Sequence, residues 1–383
     1  MNRRLRLGMV GGGKGSYIGP THRLAARIDD CYEFVAGALS SDPSRSIESA
    51  EELGLDPVRS YVDYREMARA ESQRDDGIDV VAIVTPNHLH APMAKEFLNA
   101  GIHVICDKPL TVSVQEALEL QALSRSTGML LALTHTYSGY PMVRHAKQLV
   151  AAGELGDIRF IHVEYVQEWL AEAVERSGNR QAEWRTDPAR SGPAGCLADI
   201  GTHAYHLASY ISGVFPSQVS ADVVAMVPGR RLDDHVQVML RYPAGGRGVL
   251  IASQVATGEG NALRLRVYGS KASISFDQEQ PDFLWYTPLN GSTVRLTKGR
   301  VHSPAAEHAT RLAAGHPQGF MEAFAQLYQD AAIQISALIE CKEIPESSKF
   351  LTTVDDGVDG MRFVEAVLRS AANGSDWTPI HRE

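Results

Sequence analysis

The sequence predicts an α/β N-terminal domain built on an open, mostly parallel, doubly wound sheet, followed by an α+β C-terminal domain with a large, mainly antiparallel open sheet. Three observations predict it. From Arg6 to Lys108 short apolar runs alternate with helical segments, the order of a parallel sheet covered by helices. From Val219 to Phe276 strand-like runs follow one another with no helix between them, as in antiparallel sheets. The 383 residues suffice for two domains with a packed core each. We place the domains at 1–134 and 135–383.

Composition narrows the function classes. With 44% hydrophobic and 22% charged residues, the chain has the make-up of a soluble globular protein. A net charge of -9 and the lack of a Lys/Arg-rich block argue against nucleic acid or an anionic membrane as partner, since both demand a basic footprint. No apolar run approaches bilayer-spanning length, and MNRRLRLGMVGGG passes from basic residues straight into a glycine-ended strand, so a cytoplasmic protein is expected. Cys31, Cys106, Cys196 and Cys341 are scattered without C-x-x-C spacing; reduced thiols are expected, with no disulfide framework or zinc knuckle.

Arg6 to Val10 reads as the first strand and runs into Gly11-Gly12-Gly13-Lys14-Gly15, with helical composition from Pro20 onward. Glycines between strand and helix allow a tight turn and let the backbone approach a pyrophosphate at the helix N-terminus. Gly11 and Gly13 take the first two places of the dinucleotide fingerprint, with Lys14 beside them. The third place stays open, because Gly15 comes one residue early and Gly19 follows an apparent insertion, Ser16-Tyr17-Ile18. An ordinary glycine-rich loop has the same composition. The next strand, Phe34 to Leu39, ends at Ser40-Ser41-Asp42-Pro43, where an NAD site usually places a carboxylate for the ribose hydroxyls. Ser40 and Ser41 with Arg45 could instead cradle a 2′-phosphate through hydroxyl and guanidinium donors. Asp42 opposes this, and Arg45 could simply begin a solvated helix. The expected cofactor is NAD or NADP, with a lean towards NADP.

The stretch from Asp79 to Leu110 forms one βαβ unit. Asp79 to Val84 is a strand stopped by Thr85-Pro86-Asn87, Ala91 to Asn99 is helical, and Gly101 precedes a second strand, Ile102 to Cys106. Parallel strands put their C-termini on one edge of the sheet, where doubly wound folds bind ligands. Thr85, Asn87 and His88 therefore share the expected cofactor crevice with Asp107 and Lys108, as cofactor-binding candidates, although Asn87 and His88 could instead be a polar turn. A further strand, Met129 to Thr134, ends in His135-Thr136-Tyr137-Ser138-Gly139-Tyr140-Pro141. His135, Tyr137 and Tyr140 could face a sugar or serve as packing.

In the second domain Ile158 to Val166 alternates through Ile158 and Phe160 and then, after one slip of phase, through Ile161, Val163 and Tyr165; a bulge could absorb the slip. The later runs, from Val219 to Phe276, complete a sheet with one face free for another subunit, so a homodimer or homotetramer through this sheet is expected. Between them lies Glu183-Trp184-Arg185-Thr186-Asp187 and then Asp199-Ile200-Gly201-Thr202-His203-Ala204-Tyr205-His206. If Asp199 to Ile211 is helical, Asp199, His203 and His206 stand at i, i+4 and i+7 on one face. Metal binding, acid/base catalysis and a satisfied polar helix face all suit these residues; metal is the least favoured, and none is assigned.

Gly11-x-Gly13 after the first strand, Thr85-Pro86-Asn87-His88-x-His90, Asp107-Lys108-Pro109 and Asp199-x-Gly201-x-His203, in this order, resemble the glucose-fructose oxidoreductase / inositol dehydrogenase / rhizopine catabolism (Gfo/Idh/MocA) family over essentially the full length. Asp107 replaces the family's usual glutamate, and His206 replaces a frequent aspartate. Gly15 to Gly19, Thr134 to Pro141 and Gly315-His316-Pro317-Gln318-Gly319-Phe320 look like the branch of sugar and anhydrosugar dehydrogenases.

The resemblance implies an NAD(P)-binding Rossmann domain and oxidation of one secondary hydroxyl of a cyclic sugar, anhydrosugar or inositol. Lys108 would be a fixed cation on the reacting oxygen, His203 the general base, and Asp199 the group that orients His203 or holds a neighbouring hydroxyl. Trp184, Arg185, His206 and His316 would contact the substrate with His135 and Tyr137. A glycosidase that oxidises its sugar transiently, and a noncatalytic sugar or cofactor sensor, are the alternatives on the same fold.

Overall fold

Residues 3–382 are described by a computed structural model, in which the chain divides into two units: residues up to Thr136 with Phe324–Val358, and Tyr137–Ala323 with the residues from Asp359 onward. The first crossing falls two residues beyond the expected boundary. The expectation of 135–383 as one continuous domain gives way, because 324–358 belongs with the N-terminal unit.

The N-terminal unit holds β1 (Leu5–Gly11), β2 (Tyr32–Ala38), β3 (Val80–Val84), β4 (His103–Cys106) and β5 (Leu131–Leu133). All neighbours pair parallel in the order β2-β1-β3-β4-β5. Buried on both faces, such strands must be apolar throughout, and every residue of VVAIV in β3 is buried. Helices α1 (Gly19–Ile28), α2 (Pro43–Glu52), α3 (Tyr64–Ser72), α4 (His90–Asn99) and α5 (Val114–Thr127) connect the strands. Side chains start several of them: Asp42, Asp63 and Ser113 accept hydrogen bonds from first-turn amides of α2, α3 and α5.

The order of the strands reverses across β1, which sends its chain to β2 on one side and lies against β3 on the other. Ligands of open α/β sheets bind outside the strand C-termini at such a point.

In the second unit come α6 (Pro141–Ala151), β6 (Ile158–Val166), α7 (Arg180–Arg185), α8 (Pro188–Ser191), α9 (Thr202–Ser212), β7 (Gln218–Val224), β8 (His235–Arg241), β9 (Arg247–Ser253), β10 (Ala262–Gly269), β11 (Ala272–Asp277), β12 (Phe283–Pro288), β13 (Val294–Thr297) and α10 (Pro304–Ala309), with β14 (Thr378–Pro379) near the end of the chain. The nine strands run in the order β13-β12-β11-β10-β6-β9-β8-β7-β14, antiparallel except for β6 beside β9. The phase slip in β6 is a bulge: Tyr268 pairs with Phe160 but Gly269 with Ile158. The extra residue turns Phe160 outward, contrary to the alternation read from Ile158, while Ile161, Val163 and Tyr165 are buried.

Two long helices, α11 (Phe320–Ile339) and α12 (Val354–Ala372), each straddle a crossing between units. From α11, Phe324, Leu327, Tyr328, Ala331 and Ile335 join Leu5, Leu7, Met9 and Ala26 in the core of the N-terminal unit. Further on, Leu133 N–H donates to the Thr352 carbonyl at 3.0 Å, so this returning segment satisfies a backbone donor of edge strand β5.

Candidate functional site

In the N-terminal unit, β1 delivers the glycine turn. Gly11 has φ +76°, and a Cβ there would lie 2.4 Å from the Val84 carbonyl oxygen. Gly13 N–H donates to the Leu39 carbonyl at 3.1 Å, and a Cβ on Gly13 would come within 2.6 Å of that oxygen. The third fingerprint place falls to Gly19, the first residue of α1: a Cβ there would meet the Gly12 oxygen at 2.3 Å. The insertion Ser16 to Ile18 is thus looped out before the helix packs on the turn, with Ser16 Oγ accepting from Gly19 N–H at 3.1 Å. A backbone this bare suits a pyrophosphate laid against it.

Lys14 is held on α2. Its backbone N–H donates to Ser49 Oγ at 3.0 Å, and its ammonium pairs with Glu48 at 2.6 Å and Glu52 at 2.8 Å. At the end of β2, Ser40 Oγ accepts from Asp42 N–H at 3.1 Å, and the Asp42 carboxylate accepts from Arg45 N–H at 2.8 Å. Ser41 and Arg45 are exposed.

The loops after β3 and β4 are joined by His90, which no motif argument had given a role. Its ring nitrogens lie 2.8 Å from the carbonyl oxygens of Thr85 and Pro109, and burial pushes its imidazole pKa down. The ring therefore sits between the Thr85–His88 loop, in which Asn87 is buried, and the segment carrying Lys108, a neutral imidazole donating to one of the two carbonyls. Lys108-Pro109 is a cis peptide.

Asp107 accepts from the Thr134 hydroxyl at 2.7 Å, and His22 Nε2 stands 3.9 Å away, beyond hydrogen-bond distance. Burial alone would raise the Asp107 carboxyl; His22, Lys108 and Thr134 outweigh it and hold the group well below the usual carboxylate range. His22 in turn sits 2.8 Å from the Tyr328 hydroxyl. A lone helical histidine gives no sequence signal of this role. His135 is buried just beyond β5.

In the second unit the helix bearing Asp199 is not uniform. Leu197–Gly201 is a π-turn, and the α-helix begins only at Thr202. The expected single helix over Asp199–Ile211 is corrected accordingly: it is α only from Thr202, with Asp199 in the π-turn ahead of it, and both Asp199 and His203 lie by Tyr165. Such π-turns recur at functional sites. Asp199 Oδ2 accepts from Gln254 Nε2 at 2.8 Å and lies 3.5 Å from Arg185 Nε. The Arg185 guanidinium stacks 4.2 Å over Trp184 and 6.0 Å from the Trp169 ring.

His203, buried, stands in an aromatic corner, its ring centroid 4.9 Å from Tyr137 and 6.1 Å from Tyr165. The two phenols are hydrogen-bonded to each other. Tyr165 donates to Asn261 Oδ1 at 2.7 Å, and Gln167 Nε2 donates to the same oxygen at 2.6 Å. Burial first, then Tyr137, pushes the Tyr165 phenol far up, so it stays neutral.

Thus Tyr137, Trp184, Arg185, Asp199 and His203 are gathered around Trp169, Tyr165, Gln167, Gln254 and Asn261, which sequence reasoning passed over. Tyr165 and Gln167 continue the inward phase of β6, the signal that could have found them. His206 packs on Tyr210, ring centroids 5.3 Å apart. His316 is exposed in the loop before α11.

Residues 5–135 match the oxidoreductase family with an NAD-binding Rossmann fold, and residues 143–275 match the GFO/IDH/MocA C-terminal domain. The chain belongs to the Gfo/Idh/MocA family of oxidoreductases. Relatives of this family member include the uncharacterized oxidoreductase YfiI of Bacillus subtilis, 33% identical with 98% of this chain and 97% of that one covered. The levoglucosan dehydrogenase of Pseudarthrobacter phenanthrenivorans is 29% identical over 99% and 98% of the two chains. An inositol dehydrogenase homolog from Azotobacter vinelandii, solved with NAD+, superposes with a TM-score of 0.95 at 33% identity, covering 99% and 98%; an inositol dehydrogenase homolog from that organism solved with NADH and myo-inositol superposes with a TM-score of 0.90 at 32% identity, covering 99% and 98%.

The N-terminal unit of this Gfo/Idh/MocA chain is accordingly an NAD-binding Rossmann domain. The lean towards NADP finds no support among these relatives. No helix among the described residues is long and apolar enough to cross a membrane, and none of their His, Cys, Asp and Glu side chains form a group of three placed to hold a metal ion.

Proposed function

We propose that this oxidoreductase is an NAD-dependent dehydrogenase acting on a secondary hydroxyl of a cyclic polyol, anhydrosugar or sugar. The observation that carries the reading is the array of neutral hydrogen-bonding groups around His203, namely Tyr137, Tyr165, Asn261 and Gln167. Alternating donors and acceptors against aromatic faces suit a ring that presents hydroxyls on its rim and C–H groups on its faces.

Gly11, Gly13 and Gly19 fit the dinucleotide, since each lies where a Cβ would collide with backbone. At the ribose end Asp42 places a negative charge beside Ser40 and Ser41, which disfavours a 2′-phosphate and supports NAD. Bound nicotinamide would supply the hydride acceptor. Lys108 would hold the reacting oxygen and stabilise its developing negative charge, and His203 would take the hydroxyl proton. Asp199, set against Arg185, would serve as a fixed anion facing the charge that His203 acquires. Trp169 and Trp184 flank Arg185 and would border the sugar.

The outer face of the second sheet supports self-association into a homodimer or homotetramer. Met239, Val249, His162, Arg266, Ser275 and Trp285 form one cross-strand row over β8, β9, β6, β10, β11 and β12, with Met239 53% and Trp285 44% exposed.

Absorbance of reduced nicotinamide tests the reaction. Purified protein offered NAD or NADP with inositols, aldoses and levoglucosan should reduce NAD in a sugar-dependent manner. Tight NAD binding with no reduction by any of them would count against a dehydrogenase.

A further inference from the structure

Resting on that reading of Asp199, we propose that Gln254 is the positioning residue that fixes the Asp199 carboxylate. Gln254 follows β9 and is 2% exposed. Its N–H donates to the Asp234 carbonyl at 2.8 Å, and its own carbonyl accepts from Leu170 N–H at 3.0 Å. The side-chain amide then reaches Asp199 Oδ2 at 2.8 Å. A side chain anchored by its backbone on both sides has little freedom to follow a carboxylate that moves, so it sets the carboxylate's direction.

The backbone beneath Asp199 is fixed from the other side. The Asp233 carboxylate accepts from Gly195 N–H at 2.6 Å and Leu197 N–H at 2.7 Å, and the Asp233 carbonyl accepts from Cys196 N–H at 2.9 Å. The π-turn is therefore fastened just ahead of β8 through its amides and just after β9 through its carboxylate.

Titratable groups near Asp199 include Arg185 from α7, Tyr165 from β6 and Cys196 of its own segment, with the buried Asp233 carboxyl, pushed up by burial, on the amides of the same turn and Asp234 beside it. Burial pushes the Tyr165 phenol and the Cys196 thiol up, so both stay neutral. Arg185 is a cation whose pull on Oδ2 competes with the amide. An amide donates at every pH and adds no charge, so Gln254 holds the carboxylate without changing the sign of the site.

The test compares Gln254→Leu, which removes the donor, with Gln254→Glu, which keeps the shape and adds a titrating group. Crystal structures of wild type and both variants report the direction of the Asp199 carboxylate. The kcat and KM for myo-inositol with NAD are measured from about pH 5.5 to 9.

In Gln254→Leu the carboxylate should turn towards Arg185, and kcat should fall roughly 10- to 100-fold at every pH with KM within about three-fold of wild type. In Gln254→Glu the two carboxyls share one proton at low pH, and the protonated partner still donates. As pH rises through the upper pKa of the pair the donor is lost, so activity relative to wild type should drop at least about ten-fold towards alkaline pH. Should Gln254→Leu fail to fold, the near-isosteric Gln254→Glu still decides.

An unchanged Asp199 carboxylate in Gln254→Leu, or a pH-independent ratio in Gln254→Glu, overturns the proposal. If wild type reduces no NAD with myo-inositol, the substrate reading is what fails, and the orientation of Asp199 in the three structures still rules for or against Gln254.

Discussion

The Thr134 hydroxyl donates to the Asp107 carboxylate at 2.7 Å, one residue ahead of Lys108. The bond favours the ionised carboxylate, whose folded pKa is depressed. Its contribution is complete above the unfolded value of about 3.9 and is lost as pH falls towards the folded one. Thr134→Val should cost about 1–3 kcal/mol near neutrality and progressively less below pH 4. Urea unfolding at several pH values checks this, with Thr134→Ser expected to recover most of the loss.

In the role proposed for it, Lys108 would separate binding from chemistry. Lys108→Ala should leave NAD affinity within about three-fold and lower turnover by roughly 10² to 10³ or more, because in the proposed role the cation acts on charge that develops only in the transition state. Calorimetric titration with NAD and steady-state rates give the two halves. A parallel loss of both would leave Lys108 its expected cofactor contact and count against the catalytic role.

His103 makes acid stability measurable. Its Nδ1 accepts from Leu130 N–H at 2.9 Å, which requires an unprotonated nitrogen, and burial pulls its pKa from 6.5 down to about 4. The unfolded chain takes up the proton first. Stability is therefore full above pH 6.5 and falls as pH drops towards 4, by up to about 3 kcal/mol. His103→Gln should be less stable at pH 7 yet flatter between pH 6.5 and 4.5, as read from denaturation midpoints.

Charge placed on the outer sheet face should undo the proposed self-association. Met239→Glu with Trp285→Glu puts two anions in the cross-strand row and should lower the solution mass measured by light scattering. Far-UV circular dichroism should not change, because both side chains already face solvent within the single chain.

The parallel sheet was legible because β1, β3 and β4 are short apolar runs stopped by glycine, proline or a charged loop, leaving few alternatives to buried strands. Lys108 and the glycine turn followed from their places at strand ends. Helical periodicity in residues 320–339 shows an amphipathic helix but not which sheet it covers, so its allegiance to the N-terminal unit stayed hidden. The π-turn was hidden too, because widening one turn changes backbone pairing and not composition. Gln254 and Asn261 are ordinary amides in sequence. Only their placement beside Asp199 and Tyr165 marks them.

The crossings of the chain bear on how the protein is made. The Rossmann domain leaves the ribosome first, yet Thr352, whose hydroxyl caps the Leu133 carbonyl, follows 219 residues later. Phe324 and Tyr328 of its core are also far downstream. Until they arrive, the nascent domain exposes a bare sheet edge and an unfilled core, the features chaperones bind and aggregates grow from. A fragment ending at Thr136 should be insoluble, and fusing residues 324–358 to it should restore solubility. Synthesis of this enzyme is thus a race in which the residues up to Thr136 wait, unfinished, for the segment 324–358.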